Sequence, residues 1–210
     1  MRILDASNMD AAWAALRRAC PRLGAALDQV GPPELRRRPE GFASMLQVIV
    51  DQQVSVASGR AIWARVEAAG ATSAAAVSAM EDEALRACGL SRPKVRAARA
   101  LAEAERSGAL CFRRQREARY EEAAAELTAV KGVGPWSAAI YHMFCVGRAD
   151  MMPAADIAIQ EAVRRLYGLP ERPDAKALDA MAEAWAPWRS AAALLLWRYY
   201  LEEKSRDGVR

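Results

Sequence analysis

The stretch LTAVKGVGPWSAAI, residues 127–140, places two glycines and a proline between two segments with helical patterning. Inside a helix, glycine costs about 1 kcal/mol relative to alanine and proline about 3 kcal/mol, so these residues indicate a turn. Gly132 and Gly134 allow positive φ and close backbone approach, and Pro135 suits the first position of the next helix. The stretch predicts a helix–hairpin–helix whose free amides can bind a nucleic acid phosphate. A plain turn between two helices is the alternative.

Composition predicts a helical protein that is large enough to bury a core. The 210 residues are 53% hydrophobic and 27% charged, which is typical of a globular protein. Alanine, leucine, arginine and glutamate dominate, and runs of β-branched residues are few, so the chain favours an all-α fold. A formal net charge of +4 permits a polyanionic partner without requiring one.

The cysteines and the apolar segments predict a cytoplasmic protein. The four cysteines, at positions 20, 88, 111 and 145, include no CxxC pair, so we expect reduced, buried thiols. The N-terminal stretch MRILDASNMDAAW contains acidic residues and no apolar core, unlike a signal peptide. No apolar run approaches the roughly 20 residues needed to span a bilayer, so no membrane partner is expected.

Apolar periodicity, caps and breakers predict a succession of helices with no strand and no repeat. Asn8 is the expected cap of the first helix and Pro21 its stop, and residues 31–41 form a basic, turn-rich connector. The expected helices cover residues 9–19, 42–50, a segment from after 53 to Gly70, 73–80, 82–88, a segment from Pro93 to Gly108, 120–130, 135–146, 157–167, 174–185 and 188–203.

One carboxylate follows the hairpin in a distinctive position. Asp156 lies in MMPAADIAIQEAVRRLYG, among small and apolar residues at the start of a predicted helix. An aspartate there is most simply a helix cap that contributes about 1 kcal/mol to stability. Asp150 stands in the same loop beside Arg148 and is expected to be a solvated surface residue.

Taken together, the hairpin and this aspartate resemble the helix–hairpin–helix (HhH-GPD) DNA glycosylase superfamily, whose signature is a hairpin, a Gly/Pro-rich loop and an aspartate. The match runs over residues 127–160, and further agreement appears in IVDQQVSVASGRAI, GLSRPKVRAARALA and APWRSAAALLLWRYY. These segments cover most of the chain from Phe42 to Tyr200. The sequence most resembles the 3-methyladenine DNA glycosylase II (AlkA-like) branch, in a short form without its N-terminal β lobe.

The resemblance implies a single all-α fold, a two-lobed helical bundle with the active site in the cleft between the lobes. One lobe is expected to combine roughly residues 1–40 with 145–210, and the other to span roughly 41–144 and contain the hairpin 127–140. The implied partner is double-stranded DNA with damaged bases, bound by a monomer.

The resemblance also implies the reaction type. Family members with lyase activity carry a lysine at the position of Trp136, where its amine attacks the sugar. The absence of that lysine implies a monofunctional enzyme, with Asp156 as the catalytic carboxylate. The iron–sulfur cluster of a related branch needs four closely spaced C-terminal cysteines, and the last cysteine here is Cys145, so no cluster and no required cofactor are expected.

A glycosylase must flip its target nucleotide out of the duplex and fill the gap that this leaves. By resemblance, the turn DQQVSV supplies the filling residue, with Gln53 as the wedge and Gln52 behind it. The alternative is that these glutamines cap or cross-link helices. Trp136 and Trp197 match aromatic residues of the base pocket. Tyr141 is a weaker pocket candidate, because Ile140 occupies the matching position.

The hairpin itself carries the remaining predicted contacts. Gly132, Gly134 and Ser137 are the expected residues at the DNA phosphate. Family hairpins also hold a monovalent cation, Na⁺ or K⁺, through turn carbonyls, and Lys131 and Val133 are the expected residues for this optional ion.

The resemblance therefore implies removal of an alkylated purine, such as 3-methyladenine or 7-methylguanine, by hydrolysis of its N-glycosidic bond at the start of base excision repair. Two alternatives stay open from the sequence. One is a glycosylase for an oxidised or deaminated purine, and the other is a DNA-binding module that kept the hairpin without catalysis.

Overall fold

The computed structural model describes residues 2–207, which form α-helices joined by short loops. Within this range, β-pairing is confined to an isolated antiparallel bridge between Ile3 and Arg148. The all-α fold predicted from the sequence is confirmed. The described helices are α1 (Met9–Ala19), α2 (Pro21–Val30), α3 (Phe42–Asp51), α4 (Val56–Ala68), α5 (Ala74–Ala79), α6 (Asp82–Ala87), α7 (Arg92–Arg106), α8 (Phe112–Glu117), α9 (Tyr120–Thr128), α10 (Pro135–Tyr141), α11 (Ile157–Tyr167), α12 (Ala175–Ala182) and α13 (Arg189–Asp207).

The helices group into two compact units. The discontinuous unit contains the described residues of 1–37 and 147–210, and the continuous unit contains residues 38–146. The discontinuous unit thus holds α1, α2 and α11 to α13, while the continuous unit holds α3 to α10. The hairpin belongs to the continuous unit, and Asp156 belongs to the discontinuous one.

Helix α3 is the centre of the continuous unit. Five of its residues are at most 1% exposed: Met45, Leu46, Val48, Ile49 and Val50. Because these side chains point in several directions around the axis, the helix must be covered on more than one side. The helices α4, α7 and α10 supply that cover.

Helix α13 has the corresponding place in the discontinuous unit. Its residues 191–196, AAALLL, are all buried, which again requires neighbours around most of the helix. The helices α1, α2 and α11 pack against it. The small alanine side chains allow these neighbours to approach closely, so α13 can serve as the frame for both α11 and the loop that precedes it.

No helix among residues 2–207 combines the length and apolar character needed to cross a membrane. Helix α13, with 19 residues, carries charged side chains in its second half.

Helix α1 has the predicted bounds, residues 9–19, but its two flanking residues behave differently from the prediction. Asn8 stands at the cap position, but its side chain makes no capping bond to α1. Instead its Oδ1 accepts a hydrogen bond from the Asp5 backbone at 3.0 Å, and its Nδ2 donates to the Ile3 carbonyl at 2.8 Å. Pro21 does not only stop α1, since it is also the first residue of α2. Proline at a first helical position loses no hydrogen bond.

Two further features were not predicted. Helix α8 lies in a stretch that the sequence left unassigned, where six residues are too few for a clear period. The predicted helix over residues 135–146 is present, but its last turn, His142–Val146, is π-helical. π-Turns within helices are rare and often occur near functional sites.

Candidate functional site

The hairpin joins α9 to α10 through a turn that packs directly on α7. Gly132 has φ of +91°, and a Cβ added to it would lie 2.5 Å from the Cβ of Ala97. A glycine is therefore required at this position for both conformation and space. Val133 is buried, and its N–H donates to the Val130 carbonyl at 3.0 Å. The turn is thereby held against the body of the continuous unit.

Gly134 differs from Gly132 in its surroundings. Its φ is −100°, and a Cβ added to it would meet no atom within 4 Å. The space beside this residue is open, and it directly precedes Pro135 at the start of α10. Free amides at the start of a helix attract anions, and Gly134 stays a predicted phosphate contact.

The prediction for Ser137 needs correction. This residue is only 2% exposed, so it has almost no surface to offer a phosphate. Its Oγ instead accepts a hydrogen bond of 2.8 Å from Gln52 Nε2, which also donates to the Gly132 carbonyl at 3.1 Å. Ser137 thus supports the hairpin from the inside.

The same contacts correct the prediction for Gln52. Its side chain is turned toward the hairpin and links the turn after α3 to residues Gly132 and Ser137. This is the cross-linking role that the sequence analysis kept as the alternative. Gln52 therefore acts as a clamp between two loops of the continuous unit.

Gln53, its neighbour, has an unusual backbone conformation. It is exposed, and its φ of +54° is the one positive value of a non-glycine residue in the described part of the chain. Left-handed conformations of such residues cost about 1–3 kcal/mol and persist only when the surroundings impose them. Gln53 stays our predicted wedge residue.

The two aromatic candidates of α10 lie in different environments. Trp136 is half-buried and stays a predicted pocket residue. Tyr141 has no exposed surface, and its hydroxyl accepts a hydrogen bond from the Gly41 backbone at 2.9 Å. Its ring packs 5.6 Å from that of Phe112, and burial raises the pKa of its hydroxyl. Tyr141 is a core residue of the continuous unit, which corrects its assignment to the pocket.

Asp156 caps α11 and is held by three N–H donors. Its Oδ1 accepts from the Ala158 backbone at 2.9 Å, the Ile159 backbone at 3.1 Å and Trp197 Nε1 at 3.1 Å. The cap predicted as the simplest interpretation is therefore present. The bond from Trp197 is an additional tertiary contact that a cap does not need. It ties the carboxylate to α13 and sets its orientation.

The loop before Asp156 is fastened to the start of α13. Arg189 forms a bidentate pair with Asp150, with Nε 2.7 Å from Oδ1 and Nη2 2.9 Å from Oδ2. Asp150 is therefore a half-buried ion-pair partner and not the solvated residue that the sequence predicted. Buried Ser190 adds to this anchor, since its Oγ donates to the Arg148 carbonyl at 2.6 Å and accepts from the Met151 backbone at 3.0 Å.

Carbonyl oxygens are suitable ligands for the optional hairpin cation. Among the described residues, no hydrogen bond uses the carbonyls of Lys131 or Val133, whereas the Gly132 carbonyl is taken by Gln52. Oxygen donors suit hard cations. The residues present therefore fit a Na⁺ or K⁺ ion, which stays a prediction.

Most of the residues just described lie within a known family pattern. The model of the HhH-GPD superfamily of base excision DNA repair proteins matches residues 46–189. The chain therefore belongs to the HhH-GPD superfamily, which confirms the resemblance drawn from its motifs. The match includes the turn after α3, the hairpin and Asp156, while Trp197 lies beyond it.

Similar proteins agree with this membership. The DNA-3-methyladenine glycosylase 1 of Schizosaccharomyces pombe is 30% identical over 172 residues, which are 80% of this chain and 75% of that protein. A structure of a DNA-3-methyladenine glycosidase from Bacillus halodurans is 30% identical with a TM-score of 0.81, covering 98% of this chain and 95% of the other. A structure of the S. pombe 3-methyladenine DNA glycosylase in complex with abasic DNA is 28% identical with a TM-score of 0.79, covering 89% and 95%.

Replacement of the two hairpin glycines by alanine tests their different roles. We expect Gly132→Ala to lower the free energy of unfolding by about 2–4 kcal/mol, because the methyl group overlaps Ala97 and φ is positive. Gly134→Ala is the matched control and is expected to change it by less than about 1 kcal/mol. Urea unfolding measures both, and an equal loss in the two variants would contradict the packing described here.

Replacement of Trp197 by phenylalanine tests its bond to the carboxylate. The change keeps an aromatic ring but removes the N–H, so we expect the free energy of unfolding to fall by about 1.5–3 kcal/mol. Trp63→Phe, at a half-buried tryptophan of α4, controls for the change in ring size. In an Asp156→Ala background the cost of Trp197→Phe should shrink, and an unchanged cost would mean that the bond contributes nothing.

Proposed function

We propose that this protein is a monofunctional DNA glycosylase that flips an alkylated purine out of double-stranded DNA and hydrolyses its N-glycosidic bond. The observation that carries the proposal is the carboxylate of Asp156, fixed by three N–H donors in a chain whose lyase position is a tryptophan. The substrate class is that of its relatives, which are named 3-methyladenine DNA glycosylases. The protein starts base excision repair by leaving an abasic site.

Charge on the damaged base explains why one carboxylate suffices. A purine methylated at N3 or N7 is cationic, so it already departs easily and needs no strong general acid. The C1′–N bond breaks with its electron pair going to the base, which leaves neutral, and the sugar becomes oxocarbenium-like. Asp156 stabilises this positive charge and accepts a proton from the water that attacks C1′. Similar chemistry operates in glycoside hydrolysis.

Aromatic side chains favour the cationic base over a normal one. Attraction between a cation and an aromatic face contributes about 0.5–2 kcal/mol. Trp136 and Trp197 are the proposed aromatic partners of the base. Trp197 then has two proposed functions, because its N–H binds Asp156 and its ring is the proposed partner of the base.

Binding of the duplex uses the continuous unit. We assign the phosphate contact to the hairpin at Gly132 and Gly134 and the wedge to Gln53. Removing a base from the stack costs a few kcal/mol, and a polar side chain that fills the gap can form hydrogen bonds with the unpaired base opposite. The proposed place of action is the nucleoid in the cytoplasm, where this substrate is found, and the protein is proposed to act as a monomer without a required cofactor.

The proposal is tested with a duplex that contains a single 7-methylguanine or 3-methyladenine. Wild-type protein should release the base and leave a site that breaks only after hot alkali. Asp156→Asn should bind the duplex but release the base at least about a hundredfold more slowly. The matched control is Asp174→Asn, which changes another aspartate that caps a helix, accepting from the Ala177 backbone at 2.8 Å.

Three results would contradict the proposal. Strand breaks without alkali would indicate a lyase. Equal rates of base release for wild type and Asp156→Asn would show that this carboxylate takes no part in the reaction. Release of an oxidised or deaminated purine in place of the alkylated ones would leave a glycosylase with a different substrate class.

A further inference from the structure

Lys94, in the segment GLSRPKVRAARALA, binds the end of another helix through its ammonium group. Lys94 lies in the first turn of α7, and its Nζ donates a hydrogen bond of 2.7 Å to the carbonyl of Val50. Val50 is the penultimate residue of α3, where the last carbonyls of a helix have no partner within the helix. A cation there is favoured by both the free carbonyl and the helix dipole.

The ammonium group of Lys94 is partly withdrawn from solvent. Burial lowers its pKa, and the negative charge of Asp51 opposes that shift. An ammonium that is directed into the protein and bonded to a carbonyl is poorly placed to reach a DNA phosphate. Its contact with α3 therefore points to a role inside the continuous unit.

Other contacts hold the residues that follow Val50. Asp51 pairs with Arg38, with 3.1 Å between its Oδ2 and Nη2. Gln52 is clamped to the hairpin, and Ser55 caps α4 by accepting from the Ser58 backbone at 3.2 Å. Asp51, Gln52 and Ser55, on either side of Gln53, thus each have a hydrogen-bonded or ionic partner.

Gly59 makes this arrangement possible on the side of α4. A Cβ at this position would lie 2.5 Å from Oδ1 of Asp51, so a larger residue here would displace the carboxylate. The end of α3 is therefore enclosed by α4 on one side and bonded to α7 through Lys94. Gln53 remains exposed with φ of +54°, a conformation that depends on such support.

We infer that Lys94 is a positioning residue for Gln53: by fixing the last turn of α3, it presents the wedge in one conformation to the duplex. The inference rests on the proposed function, because it requires that Gln53 enter the stack when a base is flipped. It extends that function to a residue on α7 that does not contact the DNA. Lys94 acts only through the turn that it holds.

The test measures base flipping separately from chemistry. The parent protein carries Asp156→Asn, so that the base stays attached to the sugar. The duplex contains one 7-methylguanine next to 2-aminopurine. The fluorescence of 2-aminopurine rises when its stacking is lost, which reports base flipping. Lys94→Met keeps the length of the side chain but removes its donor, and we expect the flipping rate to fall about tenfold. Lys94→Arg keeps a donor and should retain most of the rate. Lys176→Met changes an exposed lysine of α12 and is the matched control.

A double-mutant cycle separates positioning from a general loss of stability. If Lys94 acts through Gln53, the rate of Gln53→Ala should not fall further when Lys94→Met is added. Urea unfolding checks that Lys94→Met is folded, and Lys94→Gln replaces it in the cycle if it is not.

Several results would overturn the inference. They are a flipping rate for Lys94→Met equal to that of the parent, or a loss in the double variant equal to the product of the single losses. The slope of log affinity for DNA against log salt concentration is also measured. A slope that is shallower by about 0.9 in Lys94→Met would overturn the inference, because that change indicates a lost phosphate contact. If the parent itself produces no fluorescence change on the lesion duplex, the proposed function fails together with the inference.

Discussion

Three hydrogen bonds to Oδ1 of Asp156 fix the orientation of this carboxylate, and the candidate site in the discontinuous unit depends on them. Two of them come from backbone amides of α11 and are typical of a helix capped by aspartate. The third, from Trp197, exists only because α13 passes beside the start of α11. In the proposed reaction the carboxylate faces a developing cation, and donors that are already in place keep its orientation without rearrangement during the reaction.

Helix α13 supports the same loop at a second point. Arg189 and Ser190 bind the beginning of the loop, and Trp197 binds its end at Asp156. These contacts are about two helical turns apart, so one rigid element holds both ends of the loop. The buried run AAALLL between them explains why α13 itself is firmly placed. Precision at the site thus derives from packing in the core of this unit.

In the continuous unit, contacts of the neighbouring residues hold an exposed residue in one conformation. Its exposed residue Gln53 has an unfavourable backbone conformation, and the neighbouring residues are bound by Lys94, Arg38 and the hairpin. Gln52 joins the turn after α3 to the hairpin, so the turn that carries the predicted wedge is bonded directly to the turn that carries the predicted phosphate site.

The sequence by itself determined the features that depend on local chemistry. The glycines and the proline predicted the hairpin, and apolar periodicity predicted most of the helices. The position of Asp156 directly before an apolar helix predicted its role as a cap. The tertiary structure decided which side chains turn inward. Gln52, Ser137 and Tyr141 were candidates for the DNA-binding or base-binding site by resemblance, yet each is directed into the continuous unit by partners far along the chain. Asp150 pairs with Arg189, which lies 39 residues further along the chain. Local patterns cannot reveal such pairs, because the packing of distant helices decides which groups meet.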